Sequence, residues 1–528
     1  MTTLDEDLRR AAATAPGEEA LVAGDRRLTF AELDAAAGAL AVRLQALGVE
    51  RGDRVAILLP NAIEAAIAIY GTLRAGAAFV PLNPTIKADK LAYVLRDCEA
   101  TAIVTDDTLS SLAQQASNEA PGVRHTLRAE EAADARGTRS CPAASVSWPG
   151  GARSRPAPTT APISVDLAAI VYTSGSTGRP KGVTLTHANM AFAAGSIVAY
   201  LGMRAHDRVL CVVPLSFDYG LYQLLMCVRT RATLVLERGF AFPGRVLELL
   251  VREEITGLPG VPTIFQVLTS AGAGAVAHDL PELRFITNTA AALAPATIDA
   301  LRAAFPQARL YSMYGLTECK RVSYLPPEQV DVRPESVGIP IPGTEAWIED
   351  DAGARLPPGE VGELVVRGAH VMQGYWNDPA ATAERLRPGR WPWERVLATG
   401  DLFRQDDEGF LYFVARRDDI LKSRGEKVAP REVETVLHQA DGVRTAAVVG
   451  APDRMLGHAI VAFVVPHDGA TLTSAALRRH CAACLEDYMV PARVELRDQL
   501  PTTPNGKVDR RALANEAAAL AAGPATVR

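Results

Sequence analysis

The chain has 528 residues, 48% hydrophobic and 22% charged, with a formal net charge of −6. That length exceeds what one core ordinarily organises, so two or more domains are expected, in a globular balance of residue types. The acidic sign argues against a nucleic-acid-binding protein.

Residues 1–10 are polar and acidic and do not resemble a signal peptide, and no uninterrupted apolar run is long enough to span a bilayer. The seven scattered cysteines fit a reducing compartment, so a cytoplasmic protein without a disulfide framework is expected. Cys481-Ala-Ala-Cys484 has redox or metal spacing, but it lies in an Ala/Leu/Arg helical pattern with no second pair. It reads as one face of a helix rather than a zinc site.

Residues 28–33 read as a short strand entering a helix, with Thr29 as cap and Glu32 completing a capping box. That helix runs to residue 47. Strands follow at 55–59, 78–82 and 102–105, with helices at 61–75 and 88–97 between them. The alternation predicts a doubly wound parallel sheet. From 137 to 162 the pattern dissolves into Ser, Pro, Arg, Gly and Ala, read as a surface excursion with no part in the chemistry.

Residues 167–172 are mostly apolar and partly β-branched, as in a strand buried on both faces. They lead into Thr173-Ser174-Gly175-Ser176-Thr177-Gly178-Arg179-Pro180-Lys181-Gly182. Glycines let backbone N–H groups turn towards a ligand, hydroxyls add hydrogen bonds, and Lys181 adds a positive charge, which together suit a polyphosphate. The Gly-Lys-Ser/Thr ending of a Walker A loop is missing.

A helix is predicted over 187–198. The strand at 209–213 delivers Pro214-Leu215-Ser216-Phe217-Asp218-Tyr219-Gly220. Strands at 233–236 and 284–287, a helix at 295–304 and a strand at 310–313 bring the chain to Tyr314-Gly315-Leu316-Thr317-Glu318. Gly and Pro breaks and short alternating strands from 337 to 413 suggest a small β subdomain. Residues 415–434 mark a boundary. Beyond it, helices at 430–438 and 474–483 and strands at 443–449, 459–465 and 494–496 make a small α+β unit, plausible as a separate domain. The Ala-rich tail after 513 is open between helix and disorder.

The run 173–182 is similar to the phosphate loop of the AMP-forming adenylating enzymes, the superfamily of acyl-CoA synthetases, luciferases and the adenylation domains of nonribosomal peptide synthesis. Residues 74–84 resemble an N-terminal motif of the same superfamily. Tyr314-Gly315-Leu316-Thr317-Glu318 resembles its adenine and metal motif, and Thr399-Gly400-Asp401 its ribose motif. The run 415–425 resembles its hinge motif, with Ala415 where the family usually has Gly, and 500–510, containing Asn505-Gly506-Lys507, resembles its C-terminal lysine motif. The resemblance implies an α/β fold: a large N-terminal domain of doubly wound mixed and parallel sheets (1–415, with a β subdomain at about 337–415), a hinge at 416–420, and a small mobile α+β C-terminal domain (421–528).

It also implies ATP and Mg²⁺ as cofactors and assigns residues. Thr173, Ser174, Gly175, Ser176, Thr177, Gly178 and Lys181 hold phosphate. Tyr314, beside Gly315, stacks on adenine, Thr317 contacts phosphate and Glu318 coordinates magnesium, each a fitting match of group to ligand. Asp401 accepts from the ribose hydroxyls and Arg416 reaches ribose and phosphate. Asp418 is the hinge pivot, Gly425 lies where the pantetheine arm passes, and Lys507 binds both the attacking carboxylate and the α-phosphate. Lys507, Glu318 and Thr317 are the catalytic candidates.

By the same resemblance Asp218 pairs with a substrate amino group, as in amino-acid-activating members, because a carboxylate in a pocket is costly unless paired. A capped or solvated Asp at a strand end is the alternative. Tyr219, Tyr222 and Met313 line the pocket. Lys320 and Arg321 are further substrate-site candidates: Arg321, if buried beside Asp218, favours a second carboxylate and so an aspartate-like α- or β-amino acid; otherwise Lys320 and Arg321 bind phosphate, pair with local acids or face solvent. The favoured acceptor is the phosphopantetheine thiol of a discrete carrier protein, since no carrier domain follows Lys507. The alternative is CoA, with a simple or aryl carboxylic acid as substrate. A non-catalytic nucleotide sensor is a third reading, with little reason to keep Lys507 and the hinge. Neither a nucleic acid nor a membrane is an expected partner.

Overall fold

The computed structural model describes residues 3–131, 146–147, 161–174, 180–240, 242–270, 280, 282–289, 293, 295–417, 420–423, 426–453, 457–485, 488–503 and 507–522. Most of the predicted surface excursion at 137–162 lies outside the described residues, as do Gly175, Ser176, Thr177, Gly178, Asp418 and Gly425. The chain divides into two compact units, Met1–Ala346 with Val366–Ala398, and Trp347–Val365 with Thr399–Arg528.

The first unit is built on two sheets. One has seven strands in the order Gly374–Tyr375, Pro180–Thr186, Leu167–Ser174, Ala78–Leu82, Arg54–Leu58, Ala102–Thr105, His125–Arg128. Its centre is parallel, as the strand–helix alternation predicts. Its Pro180–Thr186 edge is antiparallel, because that strand returns directly from Leu167–Ser174. Ala56, Leu58, Val80, Ile103 and Ile170 point from this sheet into a core closed by Leu91, Val94 and Leu95 of helix Ala88–Asp97.

The other sheet has nine strands, ordered Ile339–Pro340, Ser323–Tyr324, Arg309–Tyr314, Phe285–Asn288, Gly257–Gly260, Arg208–Cys211, Thr233–Leu236, Glu19–Ala23, Arg26–Thr29. Six consecutive members, from Arg309–Tyr314 to Glu19–Ala23, run parallel. Helix Phe30–Ala46 follows with the predicted cap: Thr29 accepts from the Glu32 amide and Glu32 accepts from the Thr29 amide. Thr186 and Asn189 form the same reciprocal pair before helix His187–Leu201.

The acidic N-terminus folds as helix Leu4–Thr14, which the sequence reading passed over. Its buried apolar residues are only Leu4, Leu8 and Ala11, but Asp5 and Asp7 are buried with partners far along the chain. Arg74 grips Asp5 and Arg229 grips Asp7, each at 2.8 Å. Such pairs have no local sequence signature.

In the second unit, residues 401–405 of strand Arg395–Gln405 pair antiparallel with strand Leu411–Arg416. The C-terminal part has the long hairpin Val443–Asp453 and Gly457–Pro466, with Arg493–Leu496 parallel to its second strand. Helices Pro430–His438 and Ser474–Cys484 cover one face through Val433, Leu437 and Leu477. Helix Arg510–Ala522 covers another through Leu513 and Ala517, so the tail is helical as far as 522. Cys481 and Cys484 end a helix, the first buried and the second exposed, and among the described residues no group of three or more His, Cys, Asp or Glu could hold a metal. No helix among them is long and apolar enough to cross a membrane.

His187, buried at the start of its helix, accepts a hydrogen bond from the Leu4 amide through Nδ1 at 3.2 Å. Burial lowers it from 6.5 to about 4, against the upward pull of Asp166 and Glu6. Between those values the unfolded imidazole binds a proton that the folded one refuses. Its contribution is therefore full above pH 6.5 and falls by about 3 kcal/mol as the pH drops towards 4. Unfolding followed across that window should show a fall in wild type that is smaller in His187→Gln; identical slopes in the two proteins would contradict the assignment.

Candidate active site

Strands Leu167–Ser174 and Pro180–Thr186 form a hairpin in which Thr173 faces Lys181. The Thr173 hydroxyl donates to the Lys181 carbonyl at 3.5 Å, and the Lys181 ammonium lies 5.3 Å from the centre of the Tyr375 ring. Gly182 is required by crowding: a Cβ there would come within 2.7 Å of Ile170 and 3.0 Å of Tyr172. Tyr375 belongs to the short edge strand Gly374–Tyr375, and its hydroxyl donates to Glu318 Oε1 at 2.7 Å. Burial, with the Glu318 charge beside it, pushes the Tyr375 phenol up. The hairpin lysine and the candidate metal carboxylate thus share one aromatic residue that the sequence reading did not single out. Its sequence signal is faint, a Gly-Tyr-Trp step among many Gly breaks.

Tyr314 ends strand Arg309–Tyr314, and Thr317 and Glu318 sit half-buried in the turn that follows. Gly315 makes that turn possible: a Cβ would lie 2.2 Å from the Lys320 carbonyl oxygen and 2.9 Å from the Arg321 Cα. Lys320 adopts φ +62°, a left-handed conformation unusual for a lysine. Its side chain is thereby held among Asp218, Tyr219 and Tyr222 on the first turn of helix Asp218–Thr230. The ammonium is 3.9 Å from Asp218 Oδ2, 5.1 Å from the Tyr219 ring centre and 4.8 Å from that of Tyr222. Burial lowers Lys320 to about 7, with Arg321 acting the same way and Asp218 opposing.

Arg321 is 1% exposed; it donates to Thr289 Oγ1 at 2.7 Å, lies over the Tyr219 ring, and its Nε has no hydrogen-bond partner. The Tyr219 hydroxyl is fixed by Thr287, and Met313 Sδ accepts from Tyr200 at 3.0 Å. Asn61 holds the approach to Asp218 by donating to the Val213 carbonyl and accepting from the Leu215 amide. Gly220 allows close packing there, since a Cβ would lie 2.3 Å from the Pro214 carbonyl oxygen. Asn61, Thr287 and Thr289 went unread in the sequence because each acts across a long chain separation.

In the second unit Asp401 is buried and faces Arg416 across paired strands, 3.6 Å from its Nε. Thr399 accepts from the Asp401 amide, and the Gly400 amide donates to the buried Glu363, a carboxylate that also pairs with Arg417 at 3.6 Å. Lys507 is exposed on a turn closed by the Thr503 amide donating to the Lys507 carbonyl and by the bridge between Thr502 and Val508.

A family model described as AMP-binding enzyme matches residues 8–376, and one described as AMP-binding enzyme C-terminal domain matches 432–507. The chain belongs to the AMP-binding enzyme family. Similar members include a long-chain-fatty-acid–CoA ligase of Salmonella typhimurium, 33% identical over 93% of this chain and 90% of that one. A feruloyl-CoA synthase of an Amycolatopsis species is 34% identical over 94% and 96%. Among solved structures, ATP-bound MatB of Rhodopseudomonas palustris superposes with TM-score 0.86 at 28% identity, covering 98% of this chain and all of that one.

The resemblance read from the motifs therefore holds, and this AMP-binding enzyme is an AMP-forming ligase that uses ATP. One expectation changes. Asp218 was read as a carboxylate waiting for a substrate cation, yet it already has the Lys320 ammonium within this chain. Nor do Lys320 and Arg321 face solvent, as one alternative had it; both are buried. A methyl at position 315 would strike the backbone that carries both cations. Gly315→Ala should therefore destabilise the fold by about 2 kcal/mol, the scale of overpacking against backbone. Thermal unfolding checks this, and an unchanged midpoint would show that the turn yields freely.

Proposed function

We propose that this enzyme joins an amine-free carboxylic acid to CoA through an acyl-adenylate. The observation that carries the proposal is the charge of the Asp218 region: one carboxylate against two buried cations, Lys320 and Arg321. A substrate ammonium would add a third cation in a low-dielectric site, whereas an acid without one adds none. The unpartnered Arg321 Nε favours an acid with an acceptor group beyond its reacting carboxylate, since buried polar groups ordinarily find a partner. The CoA ligase and CoA synthase names of the relatives point to the same acceptor thiol.

The chemistry brings two anions together. A carboxylate oxygen attacks the α-phosphorus of ATP, and the bond to pyrophosphate breaks. The CoA thiol then loses its proton, its sulfur attacks the acyl carbonyl, and AMP leaves. In this reading Lys181 and Thr173 hold the departing phosphates, Tyr314 carries the adenine, Asp401 and Arg416 hold the ribose, and Lys507 offsets charge on the carboxylate and α-phosphate. Glu318 fits Mg²⁺: it is a hard oxygen donor that belongs to no group of three or more His, Cys, Asp or Glu among the described residues, and magnesium is commonly held by one or two carboxylates with phosphate oxygens and water. When bound, the ion neutralises phosphate charge. Tyr375 fixes one Glu318 oxygen by donating to it.

The test is a panel of butanoate, succinate, benzoate and ferulate beside 3-aminobutanoate, aspartate and 3-(aminomethyl)benzoate, whose amines are protonated at neutral pH, followed by pyrophosphate exchange and by mass spectrometry of the thioester. Exchange with amine-free acids and acylation of CoA are expected. Lys507→Ala should lower that exchange about 10²-fold or more, while thioester formation from supplied acyl-adenylate suffers less. Exchange with amino acids alone, and thioester found only on a carrier protein, would return the account to amino-acid activation.

A further inference from the structure

Lys320 has a conspicuous setting for a lysine. Its backbone is held left-handed, its side chain is 4% exposed, and its ammonium lies over two tyrosine rings beside one carboxylate. The carboxylate opens a helix, where the helix N-terminus favours a negative charge. A carboxylate with aromatic ring faces is the chemistry by which proteins hold organic ammonium ions. The 3.9 Å separation from Asp218 lies outside direct hydrogen-bond range, so charge and ring faces hold the ammonium rather than a short bond.

We propose that Asp218, Tyr219 and Tyr222 form a cage for an organic ammonium ion and that Lys320 is its built-in occupant. The lysine stands where an amine of an incoming molecule would otherwise bind, and such an amine enters only by displacing it. Helix Asp218–Thr230 supplies the cage and the turn after strand Arg309–Tyr314 supplies the occupant, so the two are independent in the chain. Arg321, 5.7 Å from the centre of the Tyr219 ring, is fixed by its hydrogen bond to Thr289. The bearing of this on substrate choice, the exclusion of amino-bearing acids, rests on the proposed function; the cage itself does not.

The experiment therefore reads binding rather than activity. Thermal unfolding of wild type, Lys320→Ala and the double variant Lys320→Ala/Asp218→Asn is followed in ethylammonium chloride and in sodium chloride of equal ionic strength. Lys320→Ala should unfold earlier than wild type and be raised by roughly 2 °C or more by ethylammonium over sodium, as for a ligand that binds only the folded state. Wild type, whose occupant must first be displaced, should respond much less, and the double variant should not respond. Equal responses in all three, or none in Lys320→Ala, would overturn the proposal. Should Lys320→Ala not fold, wild type decides: reductive methylation of Lys320, read by mass spectrometry, should rise in trimethylammonium chloride, a tertiary amine the reagent does not consume. Unchanged labelling there would overturn the proposal. None of these results depends on which acid the enzyme adenylates, so failure of the cage leaves the ligase reading intact, and failure of the ligase reading leaves the cage intact.

Discussion

Residues 372–376 bond to one sheet of the first unit and to the turn that follows the other, and the arrangement of the site depends on them. The Met372 amide donates to the Glu318 carbonyl, the Gln373 amide to Thr184 and the Trp376 amide to Gly182. Tyr375 pairs with Val183 on one sheet and reaches Glu318, just beyond the end of the other, with its hydroxyl. Each bond fixes the hairpin that carries Lys181 relative to the turn that carries Glu318. A hydrogen bond to a carboxylate in a partly buried place contributes about 1.5–3 kcal/mol, more than a neutral pair. The proposed roles of Lys181 and Glu318 need that registry, because a phosphate-binding cation and a metal ligand would have to address neighbouring oxygens of one chain of phosphates.

The Asp218 region follows from a second constraint, that a buried charge needs a partner. Asp218, Lys320 and Arg321 lie within one cluster of aromatic rings, and none reaches bulk water freely. Gly315 and the left-handed Lys320 are the backbone cost of bringing two consecutive cations to face one helix terminus. Removing Asp218 leaves two buried cations with no carboxylate beside them, which is far more costly than never having had the pair.

Much of this was legible in the sequence because it is local. The capping box of Thr29 and Glu32, the parallel strands at 55–59, 78–82 and 102–105, and the ten-residue phosphate run are each written within a dozen residues, and the strands and cap appear as expected. Helix Leu4–Thr14 was missed because its burial rests on Arg74 and Arg229, which no window around it contains. Helix Asp218–Thr230 was missed because its apolar residues are buried all round and leave no polar stripe to set a period. The pairing of Asp218 with Lys320 spans about a hundred positions, and a sequence carries no side-chain direction. That is why Asp218 pointed to a substrate amine until Lys320 was seen beside it.

Tyr375 couples the hairpin that carries Lys181 to Glu318. A double-mutant cycle of Tyr375→Phe and Glu318→Gln, read as the dissociation constant for ATP with magnesium, tests it without knowledge of the acid. The account predicts that Tyr375→Phe weakens binding roughly tenfold in the wild-type background and has little further effect once Glu318 is changed, a coupling of about 1 kcal/mol or more. Two effects that simply multiply would show that Tyr375 and Glu318 act independently and would contradict it.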